Sequence, residues 1–243
     1  MKKEFLLNTM ADIDDAYIRE AAQPAKARKR KLPWKALVAA ALIPLLTITA
    51  YAGDFLNVRT LVSGTTHYVS RNYGDMDKAM EKAGFQMEVK ESFTSGFNFD
   101  KVTVEDTRGL DENDKEVLKY REIDVIYKNA DGAKLYLHAT PALEEITGSE
   151  SPVEKTEVIN GVRLEHHLDH YKFVPTNYQL TEEDKRWQET TGNYISYGSD
   201  EVELTDIRFL CWQKDGVDYF FMDTGAKVTP QTLSNMAREL MQG

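Results

Sequence analysis

The stretch Ile123-Asp124-Val125-Ile126-Tyr127-Lys128-Asn129-Ala130-Asp131-Gly132-Ala133-Lys134-Leu135-Tyr136-Leu137 decides the fold class. Two short runs rich in β-branched and aromatic residues, Ile123 to Tyr127 and Leu135 to Leu137, flank Asn129-Ala130-Asp131-Gly132, which has the composition of a hairpin turn. The same grammar recurs twice. Asn160-Gly161 separates Val158-Ile159 from Val162-Arg163-Leu164, and Lys214-Asp215-Gly216 separates Phe209 to Trp212 from Val217 to Phe221. Lys101-Val102-Thr103-Val104 alternates as a further strand. No fixed period links the hairpins, so they are convergent turns rather than a repeat.

Two helices frame these strands. Met76, Ala79, Met80 and Ala83 fall at helical spacing within Asp75 to Ala83, and Gly84 marks the end. Thr229 caps a helix running through Leu240, with Leu233, Met236, Ala237 and Leu240 on one face. Of two charged stretches, Asp111 to Lys115 reads as a loop and Thr181 to Trp187 as a loop or a short capped helix. The expectation is an α+β domain over 75–243, mostly antiparallel sheet with two or three helices.

Before that domain stands a different kind of sequence. From Ala36 to Ala52 the chain reads ALVAAALIPLLTITAYA, 17 residues without a charge between Lys35 and Asp54. As a helix it is about 26 Å long at ~1.5 Å per residue, close to a ~30 Å hydrocarbon core. Trp34 and Tyr51 suit the two interfaces, Lys35 can snorkel, and Pro44 is tolerated with a kink. Residues 36–53 are therefore expected to form one transmembrane helix. The cationic flank Lys26, Arg28, Lys29, Arg30, Lys31 and Lys35 resists translocation, which keeps it cytoplasmic and puts the larger domain outside, with 54–74 as a juxtamembrane connector. The alternative is a cleaved export signal, for which Ala50-Tyr51-Ala52 offers the small-residue pattern; its charged leader of 35 residues is long for that role.

Within the arm, residues 1–35, Asp14 is placed to cap a short helix, and Ile13 or Ala21 joins Tyr17 and Ile18 on one face before Pro24. So small a stripe cannot stabilise a lone helix in water, which points to a partner surface at Ile13, Tyr17 and Ile18. The arm carries nine Lys/Arg against five Asp/Glu; its +4 leaves −14 for the rest of a chain whose total is −10. A domain so acidic repels phosphate backbones, which disfavours direct nucleic-acid binding. Hydrophobic residues at 42% and charged residues at 29% suit a folded chain with one good core. Cys211 is the single cysteine, excluding a disulfide within the chain, and its apolar run Phe209-Leu210-Cys211-Trp212 predicts an inert thiol.

Candidate chemistry is sparse. His166, His167 and His170 form the densest imidazole group, with His166 and His170 on one face if the segment is a strand and His167 on the other. Three imidazoles in an exposed turn are ordinarily polar decoration, so His166 and His170 are weak metal candidates and no metal or other cofactor is expected. Asp111-Glu112-Asn113-Asp114-Lys115-Glu116 lacks the glycine of a calcium loop and carries Lys at a ligand position. Glu144-Glu145 and Glu182-Glu183-Asp184 read as solvated carboxylates. No nucleophile elbow, phosphate-binding loop or dinucleotide fingerprint occurs, so the chain is expected not to be an enzyme.

The arm's Ile13-Asp14-Asp15-Ala16-Tyr17-Ile18-Arg19-Glu20-Ala21-Ala22, followed by a basic cluster, a tryptophan and an Ala/Leu membrane segment, resembles the N-terminus of small Firmicutes membrane proteins paired with extracytoplasmic-function sigma factors. The outer part resembles their DUF4367-type domain in Ala79-Met80-Glu81-Lys82-Ala83-Gly84-Phe85, in Ser95-Gly96-Phe97, in the Tyr127 to Gly132 hairpin and in Trp212 to Tyr219 with the closing helix. The resemblance implies a single-pass, anti-sigma-factor-like regulator whose arm holds a sigma factor at the bilayer while the outer domain senses envelope state or a ligand. The zinc-binding H-x-x-x-C-x-x-C pattern of many anti-sigma domains is absent. A cell-envelope ligand-binding module, anchored or secreted and without a sigma-factor partner, is the alternative.

Overall fold

The computed structural model describes residues 60–113, 115–142, 151–225 and 227–242, with side chains from 65 onward. Nine strands follow in chain order: β1 (Thr60–Ser70), β2 (Asn98–Leu110), β3 (Glu116–Lys128), β4 (Lys134–Pro141), β5 (Val153–Ile159), β6 (Val162–Val174), β7 (Asn193–Tyr197), β8 (Glu203–Lys214) and β9 (Val217–Thr224). Three α-helices accompany them, α1 (Met76–Ala83), α2 (Glu182–Gln188) and α3 (Pro230–Leu240). The strands make one sheet in the order β1-β2-β3-β4-β9-β8-β6-β5, with β7 beside β6. Every pairing is antiparallel except β6 with β7. The mostly antiparallel α+β architecture expected from the hairpins is present.

Turn chemistry sets the register. Asn160 and Gly161 have φ of 52° and 81°, and Asp215 and Gly216 have 51° and 75°, so both hairpins turn through two left-handed residues as the strand twist requires. At the first hairpin the Asn129 side chain accepts from the Asp131 and Ala133 amides (3.1 and 2.9 Å), and Gly132 takes φ of 79°. Counting outward from that turn puts Val125 opposite Leu137 and Asp124 opposite His138.

Since side chains alternate across a pleated strand, the register divides the sheet into two faces. On one lie Val102, Val104, Ile123, Val125, Tyr127, Leu135, Leu137, Phe221, Leu210 and Leu164, which join α1 through Ala79 and Met80 and α3 through Leu233, Met236 and Leu240 in the main core. Gly84, with φ of 87° and its amide on the Met80 carbonyl, stops α1; Thr229 accepts from the Thr232 amide and Pro230 opens α3. Ile126, Tyr136, Met222, Ile207 and Phe173 form a second, smaller cluster on the other face.

Two elements differ from expectation. The stretch 54–74, expected as a connector, contains β1, which pairs with β2 through two register shifts, one between Ser63 and Thr66 and one between Thr66 and Tyr68. Those irregularities break the alternation by which a strand is recognised. β7 runs parallel to β6 after a crossover containing α2, the connection such a pair needs. Thr181 to Trp187 is the capped helix, not the loop: the Thr181 and Asp184 side chains cap one another's backbone amides. Among the described residues no helix is long and apolar enough to cross a membrane; residues 1–59, with the arm, the basic cluster and Ala36 to Ala52, lie outside them.

Asp106 ties the first three strands together. Its carboxylate meets His67 of β1 at 2.8 Å and both Lys119 and Arg121 of β3 at 3.2 Å. Arg121 also donates to the Lys82 carbonyl near the end of α1. Burial disfavours the Asp106 charge, but the hydrogen bonds from His67, Lys119 and Arg121 outweigh it and hold the carboxyl at about 2. A depressed folded pKa contributes stability that is present above the unfolded value of about 3.9 and is lost as pH falls through the folded one. Urea denaturation of wild type against Asp106→Asn should therefore show a stability difference that is steady from about pH 6 to 4 and shrinks toward about pH 2. A difference that grows on acidification would contradict this role.

Candidate functional site

On the face opposite α1 and α3, the middle strands bury charged residues. Glu105 and Thr107 come from β2, Glu122 and Asp124 from β3, and His138 from β4. Glu122 and Asp124 are only 8% and 6% exposed. Buried charges must be paired or hydrogen-bonded to persist. His138 Nδ1 lies 2.8 Å from Asp124 Oδ1, and its Nε2 lies 3.8 Å from Glu122 Oε2. Thr107 Oγ1 donates to that same Glu122 oxygen at 2.6 Å. Phe220 of β9 stacks on the imidazole, with centroids 4.4 Å apart and planes at 23°. Glu105 stands directly opposite Glu122 across the strand pair and accepts from Thr66 at 3.2 Å.

Electrostatics follow from this crowding. Burial lowers the pKa of His138, but the Asp124 carboxylate, through charge and hydrogen bond, together with Glu122 pushes it up to about 9. Burial raises Glu122 despite the nearby imidazole, and burial with the Asp124 charge raises Glu105. Three carboxyls thus crowd one imidazole. Glu122, Asp124 and His138 each offer a ligand atom, all within 4.8 Å of one another, and form the group among the described residues suited to holding a metal ion.

No known protein family, curated protein or solved structure matches the chain.

The histidines that stand out in sequence lie elsewhere and do different things. His166 and His167 are not in an exposed turn: both are buried within β6, His166 at 0% exposure. His166 Nε2 meets Glu157 Oε1 at 2.8 Å and Ser234 Oγ at 3.1 Å, while His167 Nδ1 meets the Ser151 carbonyl at 3.1 Å. His170 is half exposed and pairs with Asp206 at 2.6 Å. Four residues apart on a strand, His166 and His170 are separated by about 13 Å, so they share a face but not an ion.

Of the acidic stretches, Asp111 spends its carboxylate on the Asn113 and Lys115 amides (2.8 and 3.0 Å), which makes a turn. Asp184 is buried against Lys172, Tyr178 and Thr181, whose hydrogen bonds hold its carboxyl below the ordinary range. Glu144-Glu145 lies outside the described residues. Burial, with Glu165 nearby, pushes the Cys211 thiol up to about 12, the value of an unreactive cysteine.

Sequence reading missed Asp124 and His138 because neither belongs to a motif: Asp124 stands between Ile123 and Val125, and His138 between Leu137 and Ala139. The usable signal was the register, since the Asn129–Gly132 turn places them face to face.

Glu157, His166 and Ser234 superficially match a Ser-His-acid relay. A relay needs the acid on Nδ1 and the serine on Nε2. Here both partners meet Nε2, Nδ1 has no partner among the described residues, and Ser234 is buried and also donates to the Pro230 carbonyl. The cluster pins α3 to β5 and β6. Ser234 in the native chain should resist labelling by a fluorophosphonate probe, and Ser234→Ala should cost roughly 1–3 kcal/mol of stability. Stoichiometric labelling at Ser234 would show a reactive serine instead.

Proposed function

We propose that the chain is a membrane-anchored, non-enzymatic regulator of the anti-sigma-factor kind, coupling an extracytoplasmic sensing domain to a cytoplasmic partner. The observation that carries it is the run of 17 uncharged residues, Ala36 to Ala52, directly behind Lys26, Arg28, Lys29, Arg30, Lys31 and Lys35. Hydrocarbon favours such a run, and the cations on its flank favour the cytoplasmic side. In this reading residues 1–35 are the cytoplasmic arm, 36–53 cross the bilayer, and the sheet domain lies outside. Ile13, Tyr17 and Ile18, on an arm too short to bury them itself, contact an extracytoplasmic-function sigma factor. The short sequence motifs that resemble DUF4367-type Firmicutes proteins imply the same arrangement, although no family model matches the chain.

Support for a sensing role comes from the helix-free face. Buried carboxylates and an imidazole in the middle of a sheet cost stability, and such costs are characteristic of sites kept for function. The envelope ligand-binding module calls for an apolar cleft of ligand size. A groove of about 330 Å³ beside β2 has the size, but Arg71, Asn72, Glu91, Ser92 and Asn98 line most of it.

Two measurements test the proposal. After alkaline carbonate washing of cells the full-length chain should stay with the membrane, and protease added outside should digest the sheet domain while sparing the arm. Recovery in the carbonate supernatant refutes the anchor. The arm should capture a sigma factor, and Tyr17→Asp with Ile18→Asp should reduce recovery at least tenfold; equal recovery removes those residues from the contact.

A further inference from the structure

We infer that His138 and Glu122 form a binding site for one divalent first-row metal ion of the zinc class, with Asp124 as the residue that positions the imidazole. The inference is independent of the membrane reading.

The distances leave room for an ion between the two side chains. At 3.8 Å, His138 Nε2 and Glu122 Oε2 are too far apart for a hydrogen bond. Two ligands at ~2.0–2.1 Å from a tetrahedral ion stand roughly 3.3 Å apart, so a movement of about half an ångström seats one between them. Asp124 occupies the other ring nitrogen at 2.8 Å. A carboxylate accepting from Nδ1–H holds that proton on Nδ1, so an ion binding at Nε2 displaces only the Nε2 proton, and this carboxylate–histidine–metal arrangement raises ligand basicity. Thr107 fixes the facing carboxylate at 2.6 Å, and Phe220 closes one side of the ring.

Charge and rigidity point the same way. Glu105, Glu122 and Asp124 set three carboxyls against one imidazole, and a dication between Glu122 and His138 offsets that crowding of acids. The ligands project from neighbouring strands of the sheet rather than from loops, which fixes their separation. Imidazole with carboxylate favours zinc and its neighbours over calcium, which takes six to eight oxygens. Two protein ligands leave the remaining positions to water.

The test uses the full-length chain purified in detergent, stripped with EDTA, dialysed and titrated with Zn²⁺ alone. We expect one equivalent bound, affinity lowered at least 100-fold by His138→Gln and 10–100-fold by Asp124→Asn. His170→Gln, which removes the exposed imidazole paired with Asp206, should leave affinity unchanged, and millimolar Ca²⁺ should not displace the ion. A measurement on the wild type alone guards against a variant that fails to fold: electron paramagnetic resonance of one equivalent of Cu²⁺ should show coupling to a single nitrogen. The proposal is overturned by no stoichiometric binding, by undiminished binding in a folded His138→Gln chain, by displacement with Ca²⁺, or by a Cu²⁺ spectrum with two or more nitrogens.

Discussion

Pleating governs this domain. A strand has no choice about which face its alternate residues meet, and a hairpin turn of defined length leaves no choice of register. With Asn160-Gly161 and Asp215-Gly216 in left-handed conformations and Asn129 closing the third turn, the odd-numbered residues of β3 and β4 are committed to the helices. The even-numbered ones are committed to the other side. A slip of one residue would place Asp124 and His138 beneath the helices and expose Val125 and Leu137, which makes the register costly to lose.

The two faces meet the same energetic problem by different means. Beneath α1 and α3 the sheet buries aliphatic and aromatic surface, at about 25 cal/mol per Å² removed from water. On the opposite face, removing Glu122 and Asp124 from water is unfavourable, and the imidazole, the Thr107 hydroxyl and the low dielectric that strengthens both offset it. Glu157, His166 and Ser234 show how a polar cluster behaves on the helix side. There one carboxylate meets one imidazole and one hydroxyl, each directed at a partner that locks α3 in place. Around His138 three carboxyls, Glu105, Glu122 and Asp124, face one imidazole.

Much of the fold was legible in the sequence, for local reasons. Asn-Gly and Asp-Gly turns, the Gly84 stop and the Thr229 cap act over a few residues, so short-range chemistry decides them. β1 and β7 were not legible. Two register shifts between Ser63 and Tyr68 break β1's alternation, and β7 is defined by a parallel partner on the far side of a helix. The site divides in the same way. His166, His167 and His170 drew attention through adjacency in sequence, which on a strand separates side chains onto opposite faces. Asp124 and His138 lie 14 residues apart and touch because the pairing brings them opposite one another. In a sheet, chemistry is assembled across strands, and composition along one strand does not reveal it.

The surplus of acid also has a long-range side. The chain beyond the arm carries −14, and such a field concentrates small cations at its surface while repelling phosphate-bearing and carboxylate-bearing ligands. A cleft built for an anion would have to overcome that field at every step of approach. A cation travels down it, toward acids such as Glu105, Glu122 and Asp124, which crowd one part of a sheet face. Bulk charge and local geometry therefore select the same class of ligand. The −14 sets which ions arrive, and the Asp124–His138 contact sets which of them find a nitrogen oriented to receive them.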